Sequence, residues 1–220
     1  HPKFERMGNV NVYRIGGGLG YLSKILFLFQ AALFALHRKY DAYWAMMTYM
    51  LLPVAVLRLF GGRIPYILTL QDGDPFTHVF NRLRILPFKP LLFYGFRKAS
   101  KVQAISSFLA KWASLTGYKG QVEIIPNGVP VEKFNVHLSP EERNALRKEW
   151  GMNPDDIILT SSSRLVKKNA MDDVIRAIAL MPTTHKFVNF GSGPDKAKLE
   201  NLICELKLEE RVRLLNHSEE

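Results

Sequence analysis

The stretch IILTSSSRLVKKNAMDDVIRAIAL, residues 157–180, decides the fold because it joins a strand to a helix through a basic loop. Residues 157–160 are apolar and largely β-branched, which is typical of a buried strand. From Met171 to Ile178 apolar residues recur at helical spacing. The stretch therefore predicts a strand–loop–helix unit of an α/β fold.

The loop of this unit carries three cations, Arg164, Lys167 and Lys168. It immediately precedes the predicted helix, whose first backbone N–H groups lack partners within the helix. Those groups and the helix dipole favour a bound anion. The sequence thus predicts that this loop binds a phosphate group.

The residues that follow repeat the plan. Lys186–Phe190 is predicted as a strand, Gly191–Pro194 as a tight turn, Asp195–Leu206 as a helix and Val212–Leu215 as a strand. This β-α-β-α-β order indicates a parallel sheet, in which ligands bind beyond the carboxyl ends of the strands. Both the basic loop and the glycine turn lie at such ends.

Four short motifs make the chain recognisable. In chain order they are Ile124–Val129, Ser163–Asn169, Phe190–Pro194 and Leu208–Val212. Together they resemble glycosyltransferase family 4. The resemblance implies the GT-B arrangement, two Rossmann-like α/β domains with parallel sheets, and transfer of a sugar from a nucleotide-diphosphate donor with retention at the anomeric carbon.

The resemblance also implies the division of the chain. Residues 1–129 would form an acceptor-side domain, 130–155 a crossover with a helix that begins at Pro140 after a Ser139 cap, and 156–220 the nucleotide-sugar domain. We expect both domains to be incomplete here, because His1 does not resemble a natural start and the family's pair of donor-binding glutamates would follow Glu220.

The family binds the donor diphosphate through an arginine and a lysine on the basic loop. Arg164 matches the arginine, but Asn169 occupies the usual place of the lysine, so we expect Lys168 to replace it. A planar guanidinium suits bidentate contact with phosphate oxygens. The residues expected at the donor site are Arg164, Lys167, Lys168, Asn169, Gly191, Gly193, Asn127 and Gly128, and no cofactor is expected.

Gln71, Asp72 and Asp74 follow a predicted buried strand, Pro65–Leu70. Many family members have a histidine where Gln71 stands; a glutamine exchanges no proton near neutral pH but can position a substrate by hydrogen bonds. The Asp-Gly-Asp triplet also matches a metal-binding pattern of another glycosyltransferase fold. Since the other motifs indicate GT-B, we expect an acceptor-side loop without a metal.

Charge is distributed unevenly. Residues 1–128 hold 16 Lys and Arg against 5 Asp and Glu, a net +11, whereas residues 129–220 hold 14 against 15, a net −1. The basic half is either a solvated surface or a surface for an anionic membrane, acceptor or nucleic acid. No recognised nucleic-acid-binding motif is present, so no specific nucleic-acid partner is expected.

Residues 82–98 interleave cations with aromatic and aliphatic side chains. The pattern predicts either a peripheral membrane contact or an amphipathic helix that buries one face in its own domain. The apolar runs 25–36 and 42–57 are shorter than a bilayer-spanning helix and are expected in the core, with a membrane-dipping helix at 25–36 as the alternative. The cations of the candidate membrane surface are Arg82, Arg84, Lys89, Arg97 and Lys98.

The front of the sequence is less specific. Residues 9–15 alternate like a strand, and Gly16–Gly18 would form a turn to a helix or, alternatively, cradle a phosphate. The single cysteine, Cys204, fits a reducing compartment. We therefore expect a cytoplasmic enzyme, with a peripheral position on the inner face of a membrane as an added hypothesis.

Two other functions share these features. A GT-B sugar-nucleotide epimerase or phosphorylase-type enzyme would have the same architecture but different products. A non-catalytic basic module would bind an anionic membrane or nucleic acid through the first half of the chain.

Overall fold

A computed structural model describes residues 3–16 and 20–216, except for the side chain of Tyr21. The chain forms two compact units, residues 1–129 (unit 1) and 130–220 (unit 2). The glycines at 17 and 18, for which the sequence left a turn and a phosphate loop open, lie outside the described residues. The two parallel sheets described below confirm the predicted α/β fold.

Unit 1 is built on a parallel sheet with strand order β3-β4-β5-β6. Helices follow the first three of these strands, so each strand connects to the next through a crossover. Before them come an antiparallel hairpin and a long helix. The elements are β1 (Phe4–Met7), β2 (Val10–Tyr13), α1 (Gly20–Leu36), β3 (Tyr43–Met46), α2 (Leu51–Leu59), β4 (Tyr66–Leu70), α3 (Phe76–Phe80), α4 (Lys89–Lys98), β5 (Lys101–Ala104), α5 (Ser107–Leu115) and β6 (Val122–Ile124).

The core of unit 1 lies where helices cover strand β4. Tyr66, Leu68 and Leu70 of this strand are fully buried, as are Phe96 of α4 and Trp112 of α5 at 0–1% exposure. A continuous apolar strand is expected where both faces of a parallel sheet are covered. The predicted strand at 65–70 is thus the centre of the unit.

The hairpin corrects the prediction for residues 9–15. The strand is only Val10–Tyr13, and it pairs antiparallel with Phe4–Met7, which the sequence analysis did not predict as a strand. The turn between them is Gly8-Asn9, with Gly8 at φ 58°. Gly and Asn tolerate positive φ, and a two-residue turn of this kind is the signal that marks a tight hairpin.

Helix α1 is only partly a core element. Leu28 and Ala32 are buried, whereas five other apolar side chains remain 42–55% exposed. The exposed residues are Leu22, Leu26, Phe29, Leu33 and Leu36, which are spaced 4-3-4-3 and therefore share one face. Within the described residues, no helix combines the length and apolarity required to cross a bilayer.

Unit 2 contains a three-stranded parallel sheet in the order β7-β8-β9. Its core consists of Leu165, Ile175, Phe187, Leu202 and Val212, together with their neighbours. The predicted alternation of strands and helices from residue 157 onward is confirmed. The elements are α6 (Val131–Phe134), α7 (Pro140–Glu149), β7 (Ile157–Ser162), α8 (Met171–Leu180), β8 (His185–Phe190), α9 (Lys196–Glu205) and β9 (Val212–Leu215).

Helix α7 begins where the sequence predicts. The Ser139 hydroxyl accepts a hydrogen bond from the Glu142 N–H at 3.2 Å, and the Glu142 carboxylate accepts one from the Ser139 N–H at 2.8 Å. This reciprocal capping satisfies two N–H groups that the helix leaves unpaired. The amide contact also lowers the pKa of Glu142.

Candidate functional site

The basic loop after β7 and the glycine turn after β8 lie side by side in unit 2. Leu165 donates its N–H to the Ser192 carbonyl at 3.0 Å, and Asp195 donates its N–H to the Leu165 carbonyl at 3.1 Å. Leu165 is fully buried, so its side chain anchors the loop in the core. The two segments that the sequence placed at one edge of the sheet therefore form one surface.

Glycine is required at both positions of the turn. A Cβ on Gly191 would lie 2.2 Å from the Ser163 carbonyl oxygen, and a Cβ on Gly193 would lie 2.2 Å from the Leu165 carbonyl oxygen. Such distances are far inside van der Waals contact. The glycines allow the turn to approach the basic loop, which is a structural role at the same place as the predicted ligand contact.

Asn169 stabilises the basic loop. Its amide nitrogen donates to the Ser163 hydroxyl at 2.9 Å and to the Arg164 carbonyl at 2.8 Å. These bonds close the loop on itself and fix the backbone that carries Arg164. Asn169 was predicted as a donor-binding residue, and the structure gives its amide group a positioning role within the loop.

The cations on the loop point away from the core. Arg164, Lys167 and Lys168 are all exposed, and Lys167 and Lys168 lie on a short 3₁₀ turn just before α8. No side chain caps α8, whose N-cap residue Ala170 has a left-handed backbone at φ 52°. The loop thus combines exposed positive side chains with a helix N-terminus.

Two carboxylates also belong to this region. Asp172 and Asp173 lie in the first turn of α8, where they stabilise the helix dipole. They offset part of the positive charge that the sequence analysis attributed to the loop.

Asn189 is a residue of this region that the sequence analysis missed. It is fully buried near the carboxyl end of strand β8, and its amide nitrogen donates to the Ser163 carbonyl at 3.2 Å. Its side-chain oxygen has no hydrogen-bond partner among the described residues. A polar residue within the apolar run from Phe187 to Phe190 is the signal that would have drawn attention to it.

Asn127 and Gly128 belong to unit 1, whereas the basic loop belongs to unit 2. An Asn-Gly pair often marks a turn with positive φ, but neither residue adopts a positive φ here. Both residues are exposed, and a Cβ at Gly128 would meet no atom within 4 Å. The backbone alone does not require glycine at this position.

The predicted acceptor-side residues lie after strand β4 in unit 1. The Asp72 carboxylate accepts hydrogen bonds from the Thr48 hydroxyl at 2.9 Å and from the Thr48 N–H at 3.2 Å. Asp74 forms an ion pair with Arg82 at 3.7 Å, and Gln71 is partly buried. Asp72 thus ties this loop to the segment after β3.

The environment of Asp72 is unusual for a carboxylate. Burial raises its pKa, and the hydrogen bonds from Thr48 offset part of that effect. Thr48 is itself fully buried, and Met47 beside it has a positive φ of 68°. A non-glycine residue in that conformation is strained, so the Asp72–Thr48 contact holds a strained turn in place. No group of three metal-ligating side chains occurs within the described residues.

The segment at 82–98 buries most of its apolar side chains in its own unit. Leu92 and Phe96 are fully buried, and Ile85, Phe88 and Phe93 pack against the same core. Of the two interpretations left open by the sequence, the amphipathic helix accounts for these aromatic residues. Leu83, at 87% exposure, and Leu86, at 42%, are exceptions.

The cations of that segment have different surroundings. Lys89 donates to the Asn81 side-chain oxygen at 2.8 Å, and Arg82 pairs with Asp74 as described above. Arg97 and Lys98 are exposed in the last turn of α4, where positive charge complements the helix dipole. Arg84 borders a cavity that is described below.

Comparison with known proteins agrees with the fold and the motifs. Residues 2–133 match the family model of glycosyltransferase family 4, and residues 142–220 match that of the glycosyl transferases group 1. The chain belongs to glycosyltransferase family 4. The expected GT-B type of fold is thereby confirmed, since both halves match in the expected order.

Individual relatives are more distant. The chain is 26% identical over 102 residues to an alpha-monoglucosyldiacylglycerol synthase of Acholeplasma laidlawii, covering 44% of this chain and 26% of the relative. It is 29% identical over 115 residues to a GDP-mannose-dependent monoacylated alpha-(1-6)-phosphatidylinositol monomannoside mannosyltransferase of Corynebacterium glutamicum, covering 50% and 29%. It is 28% identical over 144 residues to a putative teichuronic acid biosynthesis glycosyltransferase of Bacillus subtilis, covering 63% and 34%.

Solved structures share the fold. The complex of Anabaena HepE with UDP-glucose superposes with a TM-score of 0.71 at 23% identity, covering 92% of this chain and 54% of that protein. An alpha,alpha-trehalose 6-phosphate synthase of Burkholderia multivorans gives a TM-score of 0.67 at 16% identity, covering 94% and 53%. The chain thus spans about half the length of these proteins.

Proposed function

We propose that this chain is part of a retaining glycosyltransferase that transfers a hexosyl group from a nucleoside-diphosphate sugar to an acceptor. The observation that carries the proposal is the joined surface of the Ser163–Asn169 loop and the Gly191–Pro194 turn, at the carboxyl ends of β7 and β8. Family membership and the UDP-glucose complex of the similar HepE support a nucleotide sugar as the donor.

Arg164 would bind the diphosphate of the donor. In such a transfer the bond between the sugar and the diphosphate breaks, and negative charge grows on the phosphate oxygens. The guanidinium offers two parallel N–H donors, and Lys168, or Lys167 beside it, would add a point charge. Asn169 would act through Arg164 by holding its carbonyl group.

The acceptor would be bound by unit 1. Gln71 follows β4 and would position a hydroxyl group by hydrogen bonds, since an amide does not exchange protons near neutral pH. Asp72 would act through the turn that it holds at Thr48. Asn127 and Gly128, at the end of unit 1, stay predicted contacts to the donor.

Titration of UDP, GDP and ADP into the chain, followed by calorimetry, tests the diphosphate site. We expect one nucleotide to bind and Arg164→Ala to weaken its affinity at least tenfold, because a bidentate contact between charged groups is lost. Arg176→Ala is the matched control, since Arg176 is an exposed cation on α8 outside the loop. Equal binding by both variants would contradict the assignment of the loop.

Parallel titrations of Lys167→Gln and Lys168→Gln determine which lysine takes part. We expect the larger loss of affinity for Lys168→Gln.

With an extended chain, a glycoside of unchanged anomeric configuration is the expected product of donor turnover. An epimerised sugar or a sugar phosphate would indicate the rival enzyme classes instead.

We also propose that unit 1 contacts an anionic membrane surface. Its net charge supports this, as does the stretch from Arg6 to Tyr40, which contains five Lys and Arg and no Asp or Glu. The exposed apolar face of α1 lies within that stretch. The names of two similar proteins refer to a diacylglycerol lipid and a phosphatidylinositol lipid, which favours a lipid-linked acceptor here.

A further inference from the structure

A cavity of about 650 Å³ opens within unit 1, between helix α1, the start of α2 and the segment before α4. Its volume is in the range of small-molecule sites. Most of its wall is apolar: Ile25, Phe27 and Leu28 of α1, Leu52 of α2, and Ile85 and Phe88. Leu28 and Leu52 are buried members of the core, so this wall is preformed.

The polar part of the cavity is cationic. Lys24 of α1 and Arg84 line it from two different segments, and Ser23 lies beside Lys24. Among the described residues, no aspartate or glutamate belongs to its lining. The charge of the lining therefore favours an anion, whereas its apolar surface favours hydrocarbon.

Tyr49 adds no negative charge to this wall. Its hydroxyl donates to the Val79 carbonyl at 3.0 Å, which fixes the ring. Burial raises the pKa of Tyr49; Arg82 and Arg84 offset part of that rise, and Asp72 and Asp74 add to it. The phenol is therefore neutral at physiological pH.

We propose that this cavity binds one molecule of an amphiphile that carries a phosphate group, with the phosphate at Lys24 and Arg84 and the hydrocarbon chain against the apolar wall. A lining that combines two cations from separate segments with a mainly apolar wall suits a ligand that has both a charged group and a hydrocarbon part. Binding of the amphiphile does not depend on the proposed transfer function. Its identification as the acceptor lipid does rest on that function.

Helix α1 also carries a second, separate apolar surface. The helix contributes Lys24 and Leu28 to the cavity and presents Leu22, Leu26, Phe29, Leu33 and Leu36 to solvent on its opposite side. The cavity is therefore distinct from that face, and its own lining carries the proposed site.

Binding of a series of alkyl phosphates, used as monomers, tests the proposal. We expect affinity to rise from hexyl to octyl to decyl phosphate by up to about fourfold per methylene, because each methylene leaves water. Inorganic phosphate should show no saturation where octyl phosphate saturates. 1-Octanol should bind at least tenfold more weakly than octyl phosphate, because it lacks the charged contact.

Two variants test whether the ligand binds in this cavity. The double variant Lys24→Gln, Arg84→Gln should weaken octyl phosphate binding at least tenfold, whereas Lys111→Gln, Lys119→Gln should not, since those exposed cations do not line the cavity. Ile25→Trp should weaken all chain lengths by filling the cavity. Thermal melting checks that each variant is folded.

Three results would overturn the proposal. Equal binding of inorganic phosphate would indicate a site for free anions, equal binding of 1-octanol would indicate no recognition of charge, and full binding by both site variants would place the ligand elsewhere. Nucleotide titration is an independent readout on the same protein. Its failure alone would refute the proposed donor site and leave the amphiphile site standing.

Discussion

Gly191 and Gly193 show how single residues set the geometry of the candidate site. Each lacks a side chain at a point where a carbonyl oxygen of the basic loop would lie 2.2 Å from a Cβ. The Arg164 loop can therefore lie against the turn only if both residues are glycine. This requirement comes from backbone packing and holds whether or not a ligand is bound.

Gly191→Ala is expected to destabilise unit 2 by about 1–3 kcal/mol, because the added methyl group forces backbone apart in a packed region. Gly128→Ala is the matched control. Nothing lies near its Cβ and its φ is not positive, so we expect no loss and a gain of about 0.4–1 kcal/mol from the unfolded chain. Urea unfolding measures both, and a wild-type midpoint for Gly191→Ala would contradict the steric argument.

Asp72 is expected to make the free energy of unfolding depend on pH. Its pKa is raised by burial, so the folded protein holds this proton more tightly than the unfolded chain does. The resulting contribution to stability is full below the ordinary aspartate pKa of about 3.9 and is lost as pH rises through the raised value.

Asp72→Asn isolates this effect, because an amide oxygen can still accept the Thr48 hydrogen bonds without titrating. Relative to the variant, the wild type should lose stability as pH rises through this window and then reach a constant difference. Urea unfolding of both proteins across the acidic range measures it. A difference that does not change with pH would contradict the raised pKa.

At the scale of elements, the burial of α1 and α4 differs from what their sequences suggest. The aromatic residues of 82–98 pack into the core, whereas the apolar helix α1 leaves a whole face exposed. Helix α1 is apolar on nearly every side, so its sequence does not show which face the domain covers. The position of α2 against α1 decides that.

Leu26→Glu, Leu33→Glu is expected to abolish sedimentation of the protein with anionic vesicles while leaving unit 1 folded. Both side chains are exposed, so the change removes apolar membrane contact without opening the core. The control is Leu180→Glu, which alters an equally apolar residue that is 90% exposed in unit 2. Unchanged sedimentation of the α1 variant would refute the membrane contact of this face.

The cations of the 82–98 segment provide a second set of substitutions for the same sedimentation assay. Replacement of Arg82, Arg84, Arg97 and Lys98 by glutamate reverses the electrostatic attraction. If the vesicle contact is mainly apolar, this variant retains part of its binding at low salt. Comparison of the two variants separates the apolar from the electrostatic contribution to vesicle binding.

At the scale of the whole molecule, the two units differ in charge and in packing. The boundary falls at residues 129 and 130, and all residues from 123 to 145 are exposed. The short helix α6 has no buried residue. Local opening therefore costs little free energy in this stretch.

Trypsin is expected to make its earliest internal cut after Lys133, because this site is exposed and lies in a segment with few tertiary contacts. The products should be two fragments that correspond to the two units and resist further digestion. Lys133→Gln should remove that cut and slow the loss of intact chain. Earlier cleavage within 66–115, the core of unit 1, would contradict the division.

Local signals in the sequence were sufficient for much of this structure. The strand–loop–helix at 157–180, the Ser139 cap and the β-α-β-α-β order follow from side-chain period, capping chemistry and chain connectivity. Each of these acts over a few residues, so it can be recognised without knowing what packs nearby. The same holds for the four motifs that resemble glycosyltransferase family 4.

Other features depend on residues far apart in sequence and were decided only by the tertiary structure. The contact of Asp72 with Thr48, the cavity between α1, α2 and the segment before α4, and the exposed face of α1 all arise where separate elements meet. Hydrophobic pattern states that a side chain prefers burial, but the neighbours available in space decide whether it is buried. For this chain, the sequence by itself determined the family and the alternation of strands and helices from residue 157 onward, and packing determined which of its apolar and charged residues are left exposed to bind a ligand.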